Sequence, residues 1–308
     1  MKRCVIESTG CVPGCAMAKL KQHEAELERR PRLEQIETVF GRFNRSSLGR
    51  LEITYDYETS AIFSFRDIAN LIQATEVLDI GANIGVYSIY CSSLQSVEAI
   101  WAFEPAPVAF DQLIENIRIQ DKSEKIHAYK VAASDGAGSV AFRIVSEMSG
   151  ANRIVTSADP GQQIFVQSER IDALISSKGK SVAVKIDVEG HELSVLSGMK
   201  NLLLQNNCYL QIECLDPEKL IEVKEFLKSM NYNYVFSLRD DHLFISDHLS
   251  QLVPEIISKL SQAVSSDLLH LLNLRRKVRQ TSLSARKLRD IAGYRADPLF
   301  LSRGQSPF

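Results

Sequence analysis

The sequence predicts an α/β protein built on a doubly wound, mostly parallel sheet. Its 308 residues are 45% apolar and 24% charged, which is typical of a globular chain long enough to bury a core without disulfides or metals. From about residue 76, short apolar runs alternate with amphipathic helical segments, the pattern that parallel strands with crossover helices produce. A glycine-containing turn follows the first apolar run, as in folds that bind nucleotide-like ligands at a strand end.

Seven strands and four helices are predicted in the central part of the chain. The predicted strands span residues 76–80, 98–103, 126–132, 182–186, 208–213, 233–237 and 242–246. The predicted helices lie near 84–94, 107–120, 191–204 and 217–230. Between the third and fourth strands, an alternating stretch at 139–145 leads into a Ser/Gly-rich loop, 146–163, which we expect to cover the acceptor. A hairpin-like turn at 239–241 predicts that the last strand is antiparallel.

The two ends of the chain differ from this alternating pattern. We therefore expect an N-terminal helical extension at 1–50, a central domain at 51–250 and a C-terminal helical, basic tail at 251–308. In the extension, apolar residues spaced among many charges predict a helix over 16–41. An alternating stretch at 51–55 predicts a strand at the start of the central domain.

The tail carries an apolar stripe and a local excess of positive charge. From Ile256 to Val278, apolar residues recur at spacings of three and four, which indicates an amphipathic helix. Beyond it, residues 275–303 hold nine Lys or Arg against Asp290 and Asp297. Three roles fit: packing on the chain's own sheet or N-terminal helix, a homodimer seam, or contact with an anionic surface such as a membrane or a phosphorylated acceptor.

Overall charge and apolar patterning argue against several classes of protein. The formal charge is −2, from 36 Lys and Arg against 38 Asp and Glu, so no nucleic acid partner is expected. No apolar run approaches the about 20 residues of a transmembrane helix. Glu7 interrupts any secretory signal after Met1-Lys2-Arg3, and we expect a cytoplasmic protein. Cys4, Cys11 and Cys15 form a loose cluster that matches no common zinc spacing.

The first candidate site is the turn after the strand at 76–80, which reads Asp79-Ile80-Gly81-Ala82-Asn83-Ile84-Gly85. Gly81 permits a tight turn and lets a ligand approach the backbone. Gly85 permits close packing of the next helix on the sheet. Glu104 ends the next strand, 19 residues after Gly85, where an acid can accept hydrogen bonds from both hydroxyls of a ribose.

This turn fits S-adenosylmethionine better than a dinucleotide. The dinucleotide fingerprint is G-x-G-x-x-G, whose middle glycine lets the backbone approach a pyrophosphate. Here Asn83 occupies that position and the spacing is G-x-x-x-G. S-adenosylmethionine carries no phosphate and does not need the bare glycine. A dinucleotide-dependent oxidoreductase is the alternative enzyme, and binding of NAD(P)H without binding of S-adenosylmethionine would distinguish it.

The second candidate site follows the strand at 182–186. There Asp187, Glu189, His191 and Glu192 crowd one strand-to-helix turn, a density of polar groups that core packing does not require. Asp187 can face a sulfonium, because a carboxylate favours a nearby cation. His191 has a pKa suited to accepting a proton near neutrality. A solvated helix start explains His191 and Glu192 as well.

Five short motifs occur in a fixed order along the central domain. They are Asp79-Ile80-Gly81-Ala82-Asn83-Ile84-Gly85, Phe103-Glu104-Pro105, Ala132-Ala133-Ser134-Asp135, Ile171-Asp172-Ala173-Leu174 and Lys185-Ile186-Asp187-Val188-Glu189-Gly190. Together they resemble the FkbM-type methyltransferases of the class I, Rossmann-like superfamily, over roughly residues 60–246. The resemblance implies a seven-stranded sheet, S-adenosylmethionine as cofactor with S-adenosylhomocysteine as product, and O-methylation of a hydroxyl on a sugar, glycan or polyketide-like compound.

The resemblance also implies roles for individual residues. The cofactor-binding residues that it implies are Asp79, Gly81, Asn83, Gly85, Glu104, Ser134, Asp135 and Asp187. The glycine turn would line the methionine end of the donor, and Glu104 would hold the ribose. Ser134 and Asp135 would lie by the adenine, and Asp187 would border the methyl group.

A hydroxyl acceptor, on a small molecule or a glycan, needs its proton removed or its alkoxide stabilised by a metal. We favour a base and expect Asp187, Glu189 and His191 to be the catalytic residues. The alternative is an oxygen-ligand site for Mg²⁺ made by Asp187, Glu189 and Glu213. The Asn/Asp-Pro-Pro-Tyr turn and the Pro-Cys nucleophile of base methylation are both missing from the sequence, which favours oxygen. A non-catalytic binding or scaffold protein that retains the fold is the other alternative.

Overall fold

A computed structural model describes residues 5–6, 35–47, 51, 59–121, 123–144, 153–154 and 163–261. The chain divides into two units, Met1–Ser261 and Gln262–Phe308. All described residues belong to the first unit. The predictions for the tail from residue 262 onward, including its basic segment, lie outside the described residues, as does the Cys4, Cys11 and Cys15 cluster.

The described residues form fourteen strands and eight α-helices. The strands are β1 (Val5–Ile6), β2 (Gln35–Thr38), β3 (Gly41–Asn44), β4 (Glu76–Ile80), β5 (Ala99–Phe103), β6 (Ile126–Tyr129), β7 (Ala132–Ala133), β8 (Gly138–Arg143), β9 (Arg153–Ile154), β10 (Gln163–Glu169), β11 (Ser181–Ile186), β12 (Asn207–Glu213), β13 (Tyr232–Leu238) and β14 (Asp241–Ser246). The helices are α1 (Thr59–Leu71), α2 (Val86–Ser92), α3 (Pro107–Arg118), α4 (Ile171–Leu174), α5 (Glu192–Gly198), α6 (Lys200–Gln205), α7 (Pro217–Ser229) and α8 (253–261). Short 3₁₀ turns span Arg45–Ser47, Ser123–Lys125 and Asp247–Leu252.

The central sheet has the predicted doubly wound, mostly parallel form. Its strand order is β1-β6-β5-β4-β11-β12-β14-β13. The strands from β1 to β12 in this order pair in parallel, whereas β14 is antiparallel to both β12 and β13, as the turn at 239–241 predicted. The sheet has eight strands rather than seven, because β1 adds an edge that is only two residues long and carries no periodic signal.

Burial follows from the position of each strand in this sheet. All five residues of β4 and five of the six in β11 are buried, because helices cover both faces of a parallel sheet. Three of these buried residues, Glu76, Asp79 and Lys185, are charged. The Lys185 ammonium lies 2.6 Å from Asp241 and 3.5 Å from Glu213. Burial lowers the pKa of Lys185, but the negative charges around it, Asp241 first, together outweigh this effect, and the pKa lies well above its usual range.

The segment between β6 and β11 forms a second, four-stranded sheet. Its strand order is β7-β10-β8-β9. The alternating stretch at 139–145 predicted β8, but β10 falls mostly beyond the predicted loop at 146–163 and was missed. Of that loop, residues 153 and 154 form β9 and residue 163 begins β10, and the rest lies outside the described residues. Phe142 of β8 packs against Ala109 of α3, which places this small sheet over the carboxyl edge of the central one.

The helix predicted over 16–41 is wrong for its last part. Residues 35–38 and 41–44 form an antiparallel hairpin, β2–β3, and residues 16–34 lie outside the described part of the chain. Gly41 has φ +134° at the turn, a conformation that an L side chain rarely adopts. Phe40 and Phe43 are buried in the main core, so tertiary packing overrides the helical spacing. Of the strand predicted at 51–55, only Leu51 is described, and it is helical.

The start of the tail packs on the rest of its unit. Ile256 and Leu260 of α8 are buried in the same core cluster as Leu243 of β14. This part of the apolar stripe is therefore covered by the chain itself. Among the described residues, no helix is both long enough and apolar enough to cross a bilayer.

Candidate functional site

An open groove of about 600 Å³ lies at the carboxyl edge of the central sheet, and we call it the glycine groove. Its lining residues are Ile80, Gly81, Asn83, Phe103, Glu104, Pro105, Ala109, Val131, Ala132, Ala133, Phe142, Ile154, Asp187 and Val188. The ends of β4, β5 and β11 supply most of its floor, because parallel strands bring their carboxyl ends to one edge. Glu104 and Asp187 are the charged residues in an otherwise largely apolar wall.

A second cavity of about 530 Å³ adjoins the first, and we call it the carboxylate pocket. Its lining residues are Arg153, Asp187, Glu189, Gly190, Glu192, Glu213, Cys214, Leu215, Asp216 and Lys219. Five of these ten carry a carboxylate. Asp187 lines both cavities, so the groove and the pocket meet at this residue.

The glycine groove depends on a close contact between two strand-end turns. Gly81 has φ +85°, and a Cβ at this position would lie 1.8 Å from the carbonyl oxygen of Asp187. The Asp187 N–H in turn donates to the carbonyl oxygen of Ile80, at 2.9 Å. The turns after β4 and β11 therefore touch main chain to main chain, and only glycine fits at residue 81.

Glu104 is held rigidly at the end of β5. Its side chain is 6% exposed. One carboxylate oxygen accepts from the N–H of Asn83 at 2.8 Å, and the other accepts from the N–H of Ala106 at 2.7 Å. Asn83 has φ +51°, a conformation that asparagine tolerates better than most residues. A carboxylate oxygen can accept more than one hydrogen bond, so this fixed carboxylate suits a pair of ligand hydroxyls.

Asp79 and Gly85 support the groove from behind and do not line it. The Asp79 carboxylate accepts from the N–H and the hydroxyl of Ser88, at 3.0 and 2.6 Å, and so caps the start of α2. Burial raises the pKa of Asp79, although the Ser88 hydrogen bonds oppose this effect. A Cβ at Gly85 would lie 2.5 Å from Leu113 of α3. We therefore correct the expectation of direct cofactor contact for both residues, which instead shape the turn.

Ser134, Asp135 and His191 form a separate cluster that lines neither cavity. The Ser134 hydroxyl lies 2.9 Å from Nε2 of His191 and 3.2 Å from the Asp135 carboxylate. Ala132 and Ala133, just before them, line the groove instead. Burial lowers the pKa of His191, against the opposing charge of Asp135. The adenine contacts of Ser134 and Asp135 and the role of His191 as the base stay predictions, and none of the three residues lines either cavity.

Asp187, Glu189 and Glu213 all line the carboxylate pocket, but they do not make the Mg²⁺ site considered above. In the part of the chain that the structure describes, no three His, Cys, Asp or Glu side chains converge closely enough to hold a metal ion. Glu213 lies 3.5 Å from the Lys185 ammonium and is committed to that ion pair. Glu189 has φ +52° in the turn between β11 and α5.

Three residues of the carboxylate pocket were not predicted as site residues. Glu192 is 2% exposed, accepts from the N–H of Gly190 at 2.6 Å, and has a pKa raised by burial. The Lys219 ammonium donates to the carbonyl oxygen of Gly190 at 2.7 Å. Arg153 reaches the pocket from β9. The cluster of polar residues between β11 and α5 pointed to Glu192, but no local pattern in the sequence indicates Arg153 or Lys219 as a site residue.

Comparison with known proteins gives relatives for part of this chain. The methyltransferase sdnD of Sordaria araneosa is 28% identical over 160 residues, which cover 50% of this chain and 59% of that protein. The hexuronic acid methyltransferase AglP of Haloferax volcanii is 32% identical over 131 residues, which cover 42% of this chain and 52% of that protein. The chain thus spans little more than half the length of these two relatives.

A solved structure and a family model also match part of this chain. A methyltransferase FkbM from Methylobacillus flagellatus aligns with a TM-score of 0.42 and 16% identity, over 56% of this chain and 44% of that one. Residues 79–234, about half of the chain, match the family model described as the methyltransferase FkbM domain. This matched span contains the glycine turn, Glu104 and the turn at Asp187. The chain therefore belongs to the FkbM methyltransferase domain family.

Proposed function

We propose that this chain transfers a methyl group from S-adenosylmethionine to a hydroxyl oxygen of a small molecule or glycan. The observation that carries the proposal is the position of Asp187, which lines both the glycine groove and the carboxylate pocket. A transferase needs two substrates side by side with their reacting atoms close together. The junction at Asp187 is where we place them.

The residues of the glycine groove fit the donor. Glu104 would accept hydrogen bonds from the ribose hydroxyls, and the apolar wall with Phe142 and Ile154 would cover the adenine. Asp187, at the junction, would face the positive charge of the sulfur. When bound, S-adenosylmethionine supplies a methyl group on that positive sulfur.

The carboxylate pocket fits an acceptor rich in hydroxyls. Carboxylates accept strong, charge-assisted hydrogen bonds from hydroxyl groups. With His191 turned toward Ser134, we assign removal of the hydroxyl proton to Glu189, and Glu192 is the second candidate because burial brings its pKa nearer to neutrality. The hexuronic acid named for one relative is a sugar with several hydroxyls, which supports a sugar-like acceptor for this chain.

A methyl-transfer assay tests this function. The protein is incubated with S-adenosylmethionine labelled in its methyl group and with a panel of sugars, short glycans and polyketide-like alcohols, and the products are identified by mass spectrometry. We expect one labelled methyl on an acceptor oxygen, stable to alkali as an ether is. An alkali-labile methyl ester would contradict the hydroxyl assignment alone. Tight binding of S-adenosylhomocysteine with no transfer to any acceptor would favour the scaffold alternative.

A further inference from the structure

Two arginines lie opposite each other on the small sheet that covers the site. In the antiparallel register of β8 and β9, Phe142 pairs with Ile154 and Arg143 pairs with Arg153. Phe142 and Ile154 both line the glycine groove. Because successive side chains on a strand point to opposite faces, the two arginines share the other face of this sheet. Arg153 lines the carboxylate pocket, so one strand contributes to both cavities.

This pair of like charges has no ion-pair partner within the described residues. Apart from the main-chain pairing of β8 with β9 and β10, neither Arg143 nor Arg153 makes a hydrogen bond or an ion pair to any residue in the part of the chain that the structure describes, and both are half-buried. Like charges directly opposite each other on a sheet destabilise it. An anion bound between the two guanidinium groups would remove that repulsion.

Three of the pocket's own carboxylates already have partners in the protein. Glu213 pairs with Lys185, and Asp216 accepts from the N–H of Glu218 at 2.9 Å as the cap of α7. Glu192 accepts from the N–H of Gly190. Lys219 adds a further positive charge to the same pocket. These three carboxylates are therefore directed to partners other than the arginine pair.

We infer that Arg143 and Arg153 form a subsite for an oxyanion, carboxylate or phosphate, carried by the methyl acceptor. Guanidinium groups match the planar geometry of oxyanions and bind them through paired hydrogen bonds. Since Ile154 lines the groove while Arg153 lines the pocket, an acceptor anchored here lies beside the donor groove. The inference rests on the proposed function, and it specifies the acceptor as an acidic or phosphorylated molecule.

Matched acceptors that differ in one group test this subsite. Methyl glucoside, its 6-carboxylate and its 6-phosphate are compared as methyl acceptors and, separately, as ligands in equilibrium titrations that need no turnover. The variants are R153Q, R143Q and R153K, with R118Q as the matched control at the far end of α3. For wild type, we expect at least one anionic acceptor to bind and to be methylated about tenfold or more better than the neutral glucoside.

The variants separate charge recognition from a general loss of structure. R153Q should remove the preference for the anionic acceptor while leaving the neutral one within about threefold, and R153K should retain part of it. R143Q should act in the same direction, and R118Q should match wild type. Equal binding of neutral and anionic glucosides by wild type, or unchanged anion binding in R153Q, would overturn the subsite. If no acceptor is methylated, the proposed function fails, and the titrations alone then decide the subsite.

Discussion

The carbonyl oxygen of Asp187 lies 1.8 Å from where a Cβ at Gly81 would begin. No side chain can occupy that space, so the turn after β4 and the turn after β11 are in direct main-chain contact. Gly81 thereby fixes the position of Asp187, the residue at which the glycine groove and the carboxylate pocket meet. One glycine links the geometry of both cavities.

Substitution of Gly81 by alanine should therefore damage folding and donor binding together. The residue would have to keep φ +85° and displace the Asp187 carbonyl, and we expect a loss of about 2 kcal/mol or more. In a unit of this size that lowers the melting temperature by about 4 °C or more. Thermal melts of G81A measure it, with G136A as the control, since a Cβ at Gly136 would meet no atom within 4 Å. A G81A protein as stable as G136A would show that the two turns can move apart with little loss in the free energy of unfolding.

Glu104 should contribute to donor affinity more than to stability. In E104Q, an amide replaces a carboxylate that we expect to accept from the ribose hydroxyls. Losing charge-assisted hydrogen bonds costs about 1.5–3 kcal/mol, so affinity for S-adenosylhomocysteine should fall about tenfold or more. Isothermal titration measures it. The control is E98Q, an exposed residue just before the other end of β5. Equal affinities of E104Q and E98Q would remove Glu104 from the donor site.

The buried pair of Lys185 and Asp241 should behave as a coupled unit. Their charged atoms lie 2.6 Å apart and both residues are buried. K185M leaves the Asp241 carboxylate buried without its main partner, and we expect it to destabilise the protein by about 3–5 kcal/mol. The double variant K185M/D241N should be more stable than K185M alone. Urea unfolding of the double-mutant cycle measures the coupling, and additive effects would mean that solvent reaches Asp241.

His191 should make the protein sensitive to mild acid. Burial lowers its pKa in the folded state, so the unfolded chain takes up the proton first as the pH falls below about 6.5. The stability that its neutral form provides is present above that pH and is lost below it, by at most about 1.4 kcal/mol per pH unit. His127 and His242 also have lowered pKa values and share the effect. H191Q should flatten the fall in urea midpoint between about pH 7 and 5.5. An unchanged slope in H191Q would contradict the shift.

Local patterns in the sequence predicted most of the strands of the central sheet. Six of the seven predicted strands lie within one residue of the prediction, because buried strands are continuous apolar runs, and the third ends at Tyr129 rather than at 132. The antiparallel last strand followed from a short turn. Neither apolar runs nor turn residues predict the N-terminal hairpin, because the long-range contacts of Phe40 and Phe43 outweigh a helical spacing. Strand β10 was missed for the same reason, since its partners are distant in sequence.

The candidate site, like the sheet, could be predicted only in part from the sequence. The sequence singled out the two turns that line the glycine groove, at Gly81 and at Asp187, because glycine spacing and clustered polar residues are local signals. It did not show which way each side chain points: Asp79 turns to Ser88, and His191 turns to Ser134. Arg153 was not predicted as a site residue, because its place in the carboxylate pocket depends on the pairing of β8 with β9, which no local pattern in the sequence indicates.

The most direct test of the central claim compares donor binding and methyl transfer in D187N. The claim is that Asp187 stands at the junction of the donor groove and the acceptor pocket. Its loss should then spare the ribose contacts of Glu104 but remove the carboxylate that faces the reacting groups. We expect D187N to fold, to bind S-adenosylhomocysteine within about tenfold of wild type, and to transfer labelled methyl at least about a hundredfold more slowly. Transfer by D187N at the wild-type rate would contradict the account.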